Sequence, residues 1–66
     1  MQIPVTGEIR LGQFLKLAGV VDQGSDVKRL LADGAVQVNS EVETRRGRRL
    51  DPGDVITVSD QQFTVS

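Results

Sequence analysis

The sequence predicts an α+β fold in which two short helices pack on a small antiparallel sheet. Two observations support this fold class: apolar residues follow the helical period up to residue 33, and they follow the strand period of two from residue 36 onwards. The chain has 66 residues, which is enough for one domain and not for two. We therefore expect one domain over residues 1–66.

The two helices are predicted from apolar stripes and end signals. The first is expected over residues 10–18, ending at Gly19, with an apolar stripe at Leu11, Phe14, Leu15 and Ala18. The second is expected over residues 26–33, with Ser25 as its N-cap and Gly34 as the left-handed residue after its end. Its apolar face is Val27, Leu30 and Leu31.

The next segment is predicted to be a β-hairpin whose turn has two possible lengths. A two-residue turn at Asn39-Ser40 places Val38 opposite Glu41, whereas a three-residue turn over 39–41 places Val38 opposite Val42. The longer turn keeps one face apolar, so it is the favoured register.

The remaining elements are two strands and their turns. Residues 51–54 predict a type II turn, because proline and glycine occupy its two central positions. A strand follows over 55–58, a turn at 60–61 and a closing strand over 63–65. The chain's two aromatic residues, Phe14 and Phe63, are both expected in the core.

The composition lacks the side chains of common catalytic and metal sites. Histidine, cysteine, tyrosine and tryptophan are absent. Acidic pairs exist, but Asp51 and Asp54 are typical of a turn, and Glu41 and Glu43 are interpreted as a solvated strand face. We therefore expect no catalytic residues, no metal and no cofactor.

No segment predicts export or membrane insertion. The N-terminus lacks a basic stretch leading into an apolar run, and no apolar segment approaches the roughly 20 residues that span a bilayer. The absence of cysteine fits a reducing compartment. We therefore expect a cytoplasmic protein with no membrane partner.

An arginine cluster is the most unusual feature of the sequence. The net charge is −1, yet residues 45–49 contain Arg45, Arg46, Arg48 and Arg49, with Gly47 between them. The rest of the chain has four basic against nine acidic residues, since 8 − 4 = 4. Guanidinium groups bind phosphates well, so the cluster indicates a grip on a nucleic-acid backbone. The alternative is a solvated loop that only promotes solubility.

Four further cations are expected to extend this surface. Arg10, Lys16, Lys28 and Arg29 lie off the apolar faces of their helices. Because both aromatic residues are assigned to the core, no aromatic side chain is expected to be available to stack on unpaired bases. The predicted ligand is therefore a structured RNA that is recognised by shape and phosphates.

A series of short motifs follows in order along residues 8–60: Arg10-Leu11, Phe14-Leu15, Ser25, Lys28, Leu30-Leu31, Asp33-Gly34, Val36-Gln37-Val38-Asn39, Leu50 and Pro52-Gly53-Asp54-Val55-Ile56. Their order resembles the RNA-binding domain first seen in the ribosomal small-subunit protein S-four, the alpha-L motif. The run from Val42 to Arg48 is similar to the stand-alone bacterial subgroup called YbcJ-like or YaaA-like. Gly12, Asp26 and Ser40 depart from the usual aspartate, basic residue and glycine of this family.

The resemblance implies a non-catalytic, ribosome-associated bacterial protein that binds structured RNA. Ribosomal RNA, transfer RNA and ribosomal particles are the expected partners of a monomeric chain. The expected RNA-binding residues are Arg10, Lys16, Lys28, Arg29, Asn39, Arg45, Arg46, Arg48 and Arg49. The alternative is a small protein-interaction module whose basic loop binds an acidic partner.

Overall fold

A computed structural model describes residues 2–66, and Met1 of the predicted domain lies outside the described residues. This part of the chain forms two helices and seven short strands, which in chain order are β1 (Gln2–Ile3), β2 (Ile9–Arg10), α1 (Leu11–Leu17), α2 (Gly24–Ala32), β3 (Val36–Val38), β4 (Glu41–Val42), β5 (Arg49–Leu50), β6 (Val55–Val58) and β7 (Gln61–Val65). Within these residues, neither helix has the length and apolar character needed to cross a bilayer.

The strands form one five-stranded sheet and one two-stranded ribbon. The sheet has the order β1-β7-β6-β3-β4, in which β1 runs parallel to β7 and the other neighbours are antiparallel. The ribbon pairs β2 with β5 and aligns Ile9 with Leu50. The predicted α+β class is confirmed, but the sheet is mixed and not wholly antiparallel, because the edge strand β1 runs parallel to β7. That strand ends at Ile3, just before Pro4, which has no N–H to donate to a ladder.

The helices and the sheet bury one apolar core. The predicted stripe on α1 is confirmed at Leu11, Phe14 and Leu15, which are fully buried, whereas Ala18 follows the end of the helix and is half-buried. The Phe14 ring meets the Phe63 ring edge-on, with centroids 6.5 Å apart and planes at 76°. From α2 and the sheet, the buried side chains include Val27, Leu31, Val36, Val38, Ile56, Val58 and Val65. This core fixes the face of each helix that remains outside.

The helix ends are only partly as predicted. Gly19 and Gly34 follow α1 and α2 with φ of 77° and 72°, as expected for left-handed C-terminal residues. The predicted N-cap Ser25 is wrong, because α2 begins at Gly24 and Gln23 is its N-cap. The backbone carbonyl of Gln23 already accepts bonds from the N–H groups of Asp26 and Val27, at 3.1 and 3.4 Å. Backbone bonding therefore starts the helix before the serine.

The hairpin turn has two residues, so the predicted three-residue turn is wrong. Val38 pairs with Glu41. Asn39 and Ser40 adopt φ of 52° and 73°, which is the signature of a type I′ turn. The Asn39 side chain holds the turn to the next strand, since its Oδ1 accepts a bond from the Val55 N–H at 3.0 Å. This bond favours the two-residue turn, although that turn leaves Val42 on β4 57% exposed.

The two later turns differ in how well they were predicted. The 51–54 turn is confirmed: Gly53 has φ of 96°, and the Asp54 N–H donates to the Asp51 carbonyl at 3.0 Å. The turn predicted at 60–61 lies one residue earlier, at 59–60, because Val58 pairs with Gln61. Ser59 takes the left-handed conformation there, with φ of 54°.

Replacing Ser40 by glycine is expected to stabilise the protein. A serine at φ 73° carries a steric penalty that glycine avoids. After subtraction of the extra backbone entropy of glycine in the unfolded chain, the expected gain is about 0.5 kcal/mol, or roughly 3 °C in Tm. Thermal unfolding followed by circular dichroism measures this change. The control Ser25→Gly, within α2, should lower the Tm, and a lower Tm for Ser40→Gly would contradict the conformational argument.

Candidate functional site

The basic loop, residues 43–48, is fastened to the start of α1. The Leu11 N–H donates to the Arg48 carbonyl at 2.8 Å, and the Gly12 N–H donates to the Arg46 carbonyl at 2.9 Å. The first N–H groups of a helix have no partner within the helix, so the loop carbonyls satisfy them. The Arg10 guanidinium adds a bond to the Gly47 carbonyl at 3.1 Å. The loop therefore has a fixed place beside α1.

Gly12 is the point of closest approach between α1 and the basic loop. A Cβ placed on Gly12 would lie 3.4 Å from the Cβ of Arg46 and 3.6 Å from a methyl group of Val27. A longer side chain pointing this way would push the loop outward. The sequence departure at this position therefore coincides with a tight contact between helix and loop.

Glu43 lies within the basic loop, although the sequence did not predict it as a site residue. It is 6% exposed, so the predicted solvated face is wrong for this glutamate. Its N–H donates to the Val36 carbonyl at 3.0 Å, which continues the hairpin pairing one step beyond β4. With a two-residue turn, Glu41 and Glu43 lie on the same face as Val38 and Val36, but Glu41 is exposed beside the turn whereas Glu43 is buried. The shorter turn register would have placed both glutamates on this face without showing which of them is buried.

The Glu43 carboxylate is surrounded by donors from its own loop. Its Oε2 accepts bonds from the N–H groups of Thr44 and Arg45 at 3.0 and 3.1 Å, and from Arg45 Nε at 3.2 Å. Its Oε1 accepts bonds from Arg45 Nη2 at 3.3 Å and Arg48 Nη1 at 3.1 Å. The basic loop is therefore closed around an internal anion.

These bonds keep Glu43 ionised over a wide pH range. Hydrogen bonds from the Arg45 side chain and backbone, with a smaller contribution from Arg48, lower the pKa of Glu43 from 4.5 to about 2. Burial acts in the opposite direction and is outweighed. At neutral pH, Glu43 thus offsets part of the positive charge of Arg45 and Arg48.

Arg46 stands between two grooves that contain other cations. One groove, about 520 Å³ in volume, is lined by Lys28, Leu31, Ala32, Thr44 and Arg46. The other, about 390 Å³, is lined by Arg10, Gly12, Gln13, Lys16, Val27, Arg46 and Gly47. The structure therefore brings together four of the predicted site residues, Arg10, Lys16, Lys28 and Arg46. We refer to these two grooves as the paired grooves.

Three of these four cations have no acidic partner among residues 2–66. Arg10 pairs with Glu8 at 2.6 Å, while the other salt bridges involve Arg45, Arg48 and Arg49. Lys16, Lys28 and Arg46 are exposed and take part in none of them. Their charges are directed to solvent, where a polyanion can neutralise them.

Other predicted site residues lie away from the paired grooves. Arg29 lines a separate groove with Asp22, Asp26 and Asp33. Asn39 is engaged in the hairpin turn, where its Nδ2 donates to Asp54 Oδ1 at 3.1 Å. Arg49 stands opposite Arg10 in the ribbon, with its Nε 3.9 Å from Asp51 Oδ1.

The acidic side chains do not form a metal-binding group within the described part of the chain. Among residues 2–66, no three acidic side chains are arranged to hold a metal ion. Asp51 and Asp54 are engaged in their turn, where the Asp51 N–H donates to Asp54 Oδ2 at 2.8 Å. Their geometry is that of a turn, as predicted.

Comparison with known proteins gives a consistent result. Residues 2–66 match the family described as the S4 domain. A curated relative from Bacillus subtilis (strain 168), named "Probable ribosome maturation protein RlbA", is 49% identical over 53 residues, which cover 80% of this chain and 75% of the relative. The 30S ribosomal protein S4e from Thermoplasma acidophilum superposes with a TM-score of 0.65 at 20% identity, over 91% of this chain and 32% of that protein. This last likeness is one of fold, and the chain spans about a third of that protein's length.

Proposed function

Because the chain belongs to the S4 domain family, as its motifs predicted, we propose that it binds structured RNA through the paired grooves. The observation that carries this proposal is the convergence of Lys16, Lys28 and Arg46 without acidic partners among residues 2–66. In a chain of net charge −1, such a local excess of positive charge favours one polyanion-binding face over general stickiness.

The two grooves suit a sugar-phosphate backbone that passes over Arg46. Phosphates would be neutralised by Lys28 on one side and by Lys16 and Arg10 on the other, with Arg46 between them. The fixed loop lets these contacts form without further ordering of the backbone. The chain's two aromatic rings are buried against each other, so they are not available to stack on bases. The proposed recognition is therefore of RNA shape and phosphate positions.

The proposed RNA is ribosomal RNA, within a maturing ribosomal particle in the bacterial cytoplasm. The name of the Bacillus subtilis relative supports this choice over transfer RNA. The proposed role is non-catalytic, because the sequence lacks histidine, cysteine and tyrosine and the paired grooves contain no carboxylate. The protein would act by occupying an RNA surface as a monomer.

Binding of the wild-type protein to purified ribosomal RNA is expected to weaken steeply with salt. If five or six phosphates are contacted, the logarithm of affinity should fall against the logarithm of salt concentration with a slope of about −3.5 to −5. Fluorescence anisotropy at several potassium chloride concentrations measures the slope, with bulk transfer RNA as the comparison ligand. Absence of binding to either RNA would refute the proposal.

The same protein also tests the alternative of an acidic protein partner. In-cell crosslinking followed by sequencing should recover ribosomal RNA. Recovery of a salt-sensitive protein complex without RNA would instead favour the protein-interaction module. The two functions are therefore separated by one crosslinking experiment.

A further inference from the structure

The four arginines of the basic cluster are not equivalent. Arg45 and Arg48 donate to the buried Glu43 carboxylate, and Arg49 lies on β5 near Asp51. Arg46 has no ion pair among residues 2–66. The basic loop thus carries three arginines and one glutamate, a net charge of 3 − 1 = +2. Of its three guanidinium groups, Arg46 is the one whose charge no neighbouring carboxylate offsets.

The backbone of Arg46 is fastened to the start of α1. Its carbonyl accepts a hydrogen bond from the Gly12 N–H at 2.9 Å, and its Cβ lies only 3.4 Å from the position that a Cβ on Gly12 would take. On one side of Arg46, Arg45 donates its N–H to Glu43. On the other side, the Arg48 guanidinium donates to Glu43, and the Arg48 carbonyl accepts a bond from the Leu11 N–H. The side chain of Arg46 therefore leaves a rigid base and points between the paired grooves.

We infer that Glu43 is a positioning residue for RNA binding, which folds the basic loop around itself so that Arg46 becomes the loop's main phosphate contact. Arg45 and Arg48 then act mainly within the protein, as the counter-charges that let Glu43 be buried. This inference rests on the proposed function. It adds that Arg46 is the arginine that faces the RNA and that Glu43 holds it in place.

Neutralising Glu43 should change the affinity for RNA in one direction if the residue acts only through its charge, and in the opposite direction if it positions the loop. A glutamate close to a phosphate-binding face repels RNA, so its neutralisation should tighten binding if charge alone matters. If Glu43 positions the loop, its neutralisation should weaken binding to folded RNA, because the loop must then be ordered during binding. The two effects can therefore be told apart by direction.

The decisive comparison is Glu43→Gln against Glu41→Gln. Both variants remove one negative charge from the same hairpin, but Glu41 is exposed and has no ion pair among residues 2–66. We expect Glu43→Gln to bind ribosomal RNA at least about fivefold more weakly than wild type, without loss of affinity for unstructured polyuridylate. Glu41→Gln should bind both RNAs as tightly as wild type or slightly more tightly. Equal or tighter binding of ribosomal RNA by a folded Glu43→Gln protein would overturn the inference.

A second pair of variants keeps the inference testable if Glu43→Gln does not fold, as judged by circular dichroism. Arg46→Ala should weaken binding about tenfold and reduce the salt slope by about 0.9, whereas Arg49→Ala should change affinity less than about threefold. An equal or larger loss for Arg49→Ala would also overturn the inference. If wild-type protein binds RNA while these comparisons fail, the proposed function stands and the inference alone is lost. Absence of wild-type binding refutes both.

Discussion

Replacing Arg45 and Arg48 together by alanine is expected to lower the free energy of unfolding by about 2 kcal/mol at neutral pH, because the Glu43 carboxylate stays buried. The substitution leaves the buried Glu43 carboxylate without three of its side-chain hydrogen bonds and both counter-charges. A buried anion that keeps only its two backbone donors costs more than the removal of an exposed ion pair. A chain of 66 residues has only a few kcal/mol of stability, so this variant should be close to unfolding at room temperature. Urea unfolding followed by circular dichroism measures the loss.

The matched control removes the same charge without touching Glu43. Arg46→Ala with Arg49→Ala should cost less than about 1 kcal/mol, because both side chains are exposed. Equal losses for the two double variants would show that Glu43 does not depend on its arginines. Substitution of all four arginines at once would mix the loss of RNA contacts with the loss of stability.

The same double variant should also change the pH dependence of stability. In the wild-type protein the lowered pKa of Glu43 contributes stability that is present above about pH 4.5 and is lost as the pH falls toward about 2. Without the two arginine side chains, the pKa of Glu43 should return toward 4.5, because burial then opposes only the backbone N–H bonds that remain. The variant should therefore lose less stability in acid than the wild-type protein does. The difference in unfolding free energy between the two proteins should therefore shrink between pH 7 and pH 3. A constant difference would contradict this assignment.

The largest expected effect on RNA binding comes from replacing Lys16 and Lys28 by alanine. These lysines line the two grooves on either side of Arg46, and neither has an acidic partner among residues 2–66. We expect affinity for ribosomal RNA to fall about 30-fold near physiological salt, and the salt slope to flatten by about 1.8 if each lysine meets one phosphate. Both side chains are exposed, so the Tm should change little.

The control for this variant removes two arginines that lie outside the paired grooves. Arg29→Ala with Arg49→Ala gives the same net charge, and we expect it to weaken binding less than about threefold. Arg29 lies in a groove with three aspartates, so its field is largely offset locally. Similar losses in the two double variants would indicate that net charge, and not the position of the grooves, governs binding.

The helices and the core were predictable because their signal is local. The spacing of Leu11, Phe14 and Leu15 identifies the buried face of α1 without any knowledge of its neighbours. The left-handed glycines after both helices follow from the same local reasoning. The length of the hairpin turn could not be predicted correctly from local signals. That turn depends on bonds from Asn39 to Asp54 and Val55, which lie 15 and 16 residues away along the chain.

The candidate site was predictable in its composition and not in its arrangement. Charge clustering identifies the arginines, but it does not reveal that the buried Glu43 carboxylate binds Arg45 and Arg48 and leaves Arg46 without an acidic partner among residues 2–66. Arg29 was grouped with the cluster because it lies off the apolar face of its helix, yet it faces three aspartates in a separate groove. Helical periodicity specifies that a residue is outside the core, and it does not specify which outside surface the residue joins.

The two-residue turn also limits how the hairpin can change in length. Side chains alternate between the two faces of a strand, so one inserted residue between Asn39 and Glu43 would rotate the glutamate from the inner to the outer face. The arginines would lose their buried anion, although no residue of the basic loop had been altered. Two inserted residues would restore the alternation. Insertions in this hairpin are therefore compatible with the site only in even numbers, so the turn restricts the chain length that can precede the basic loop.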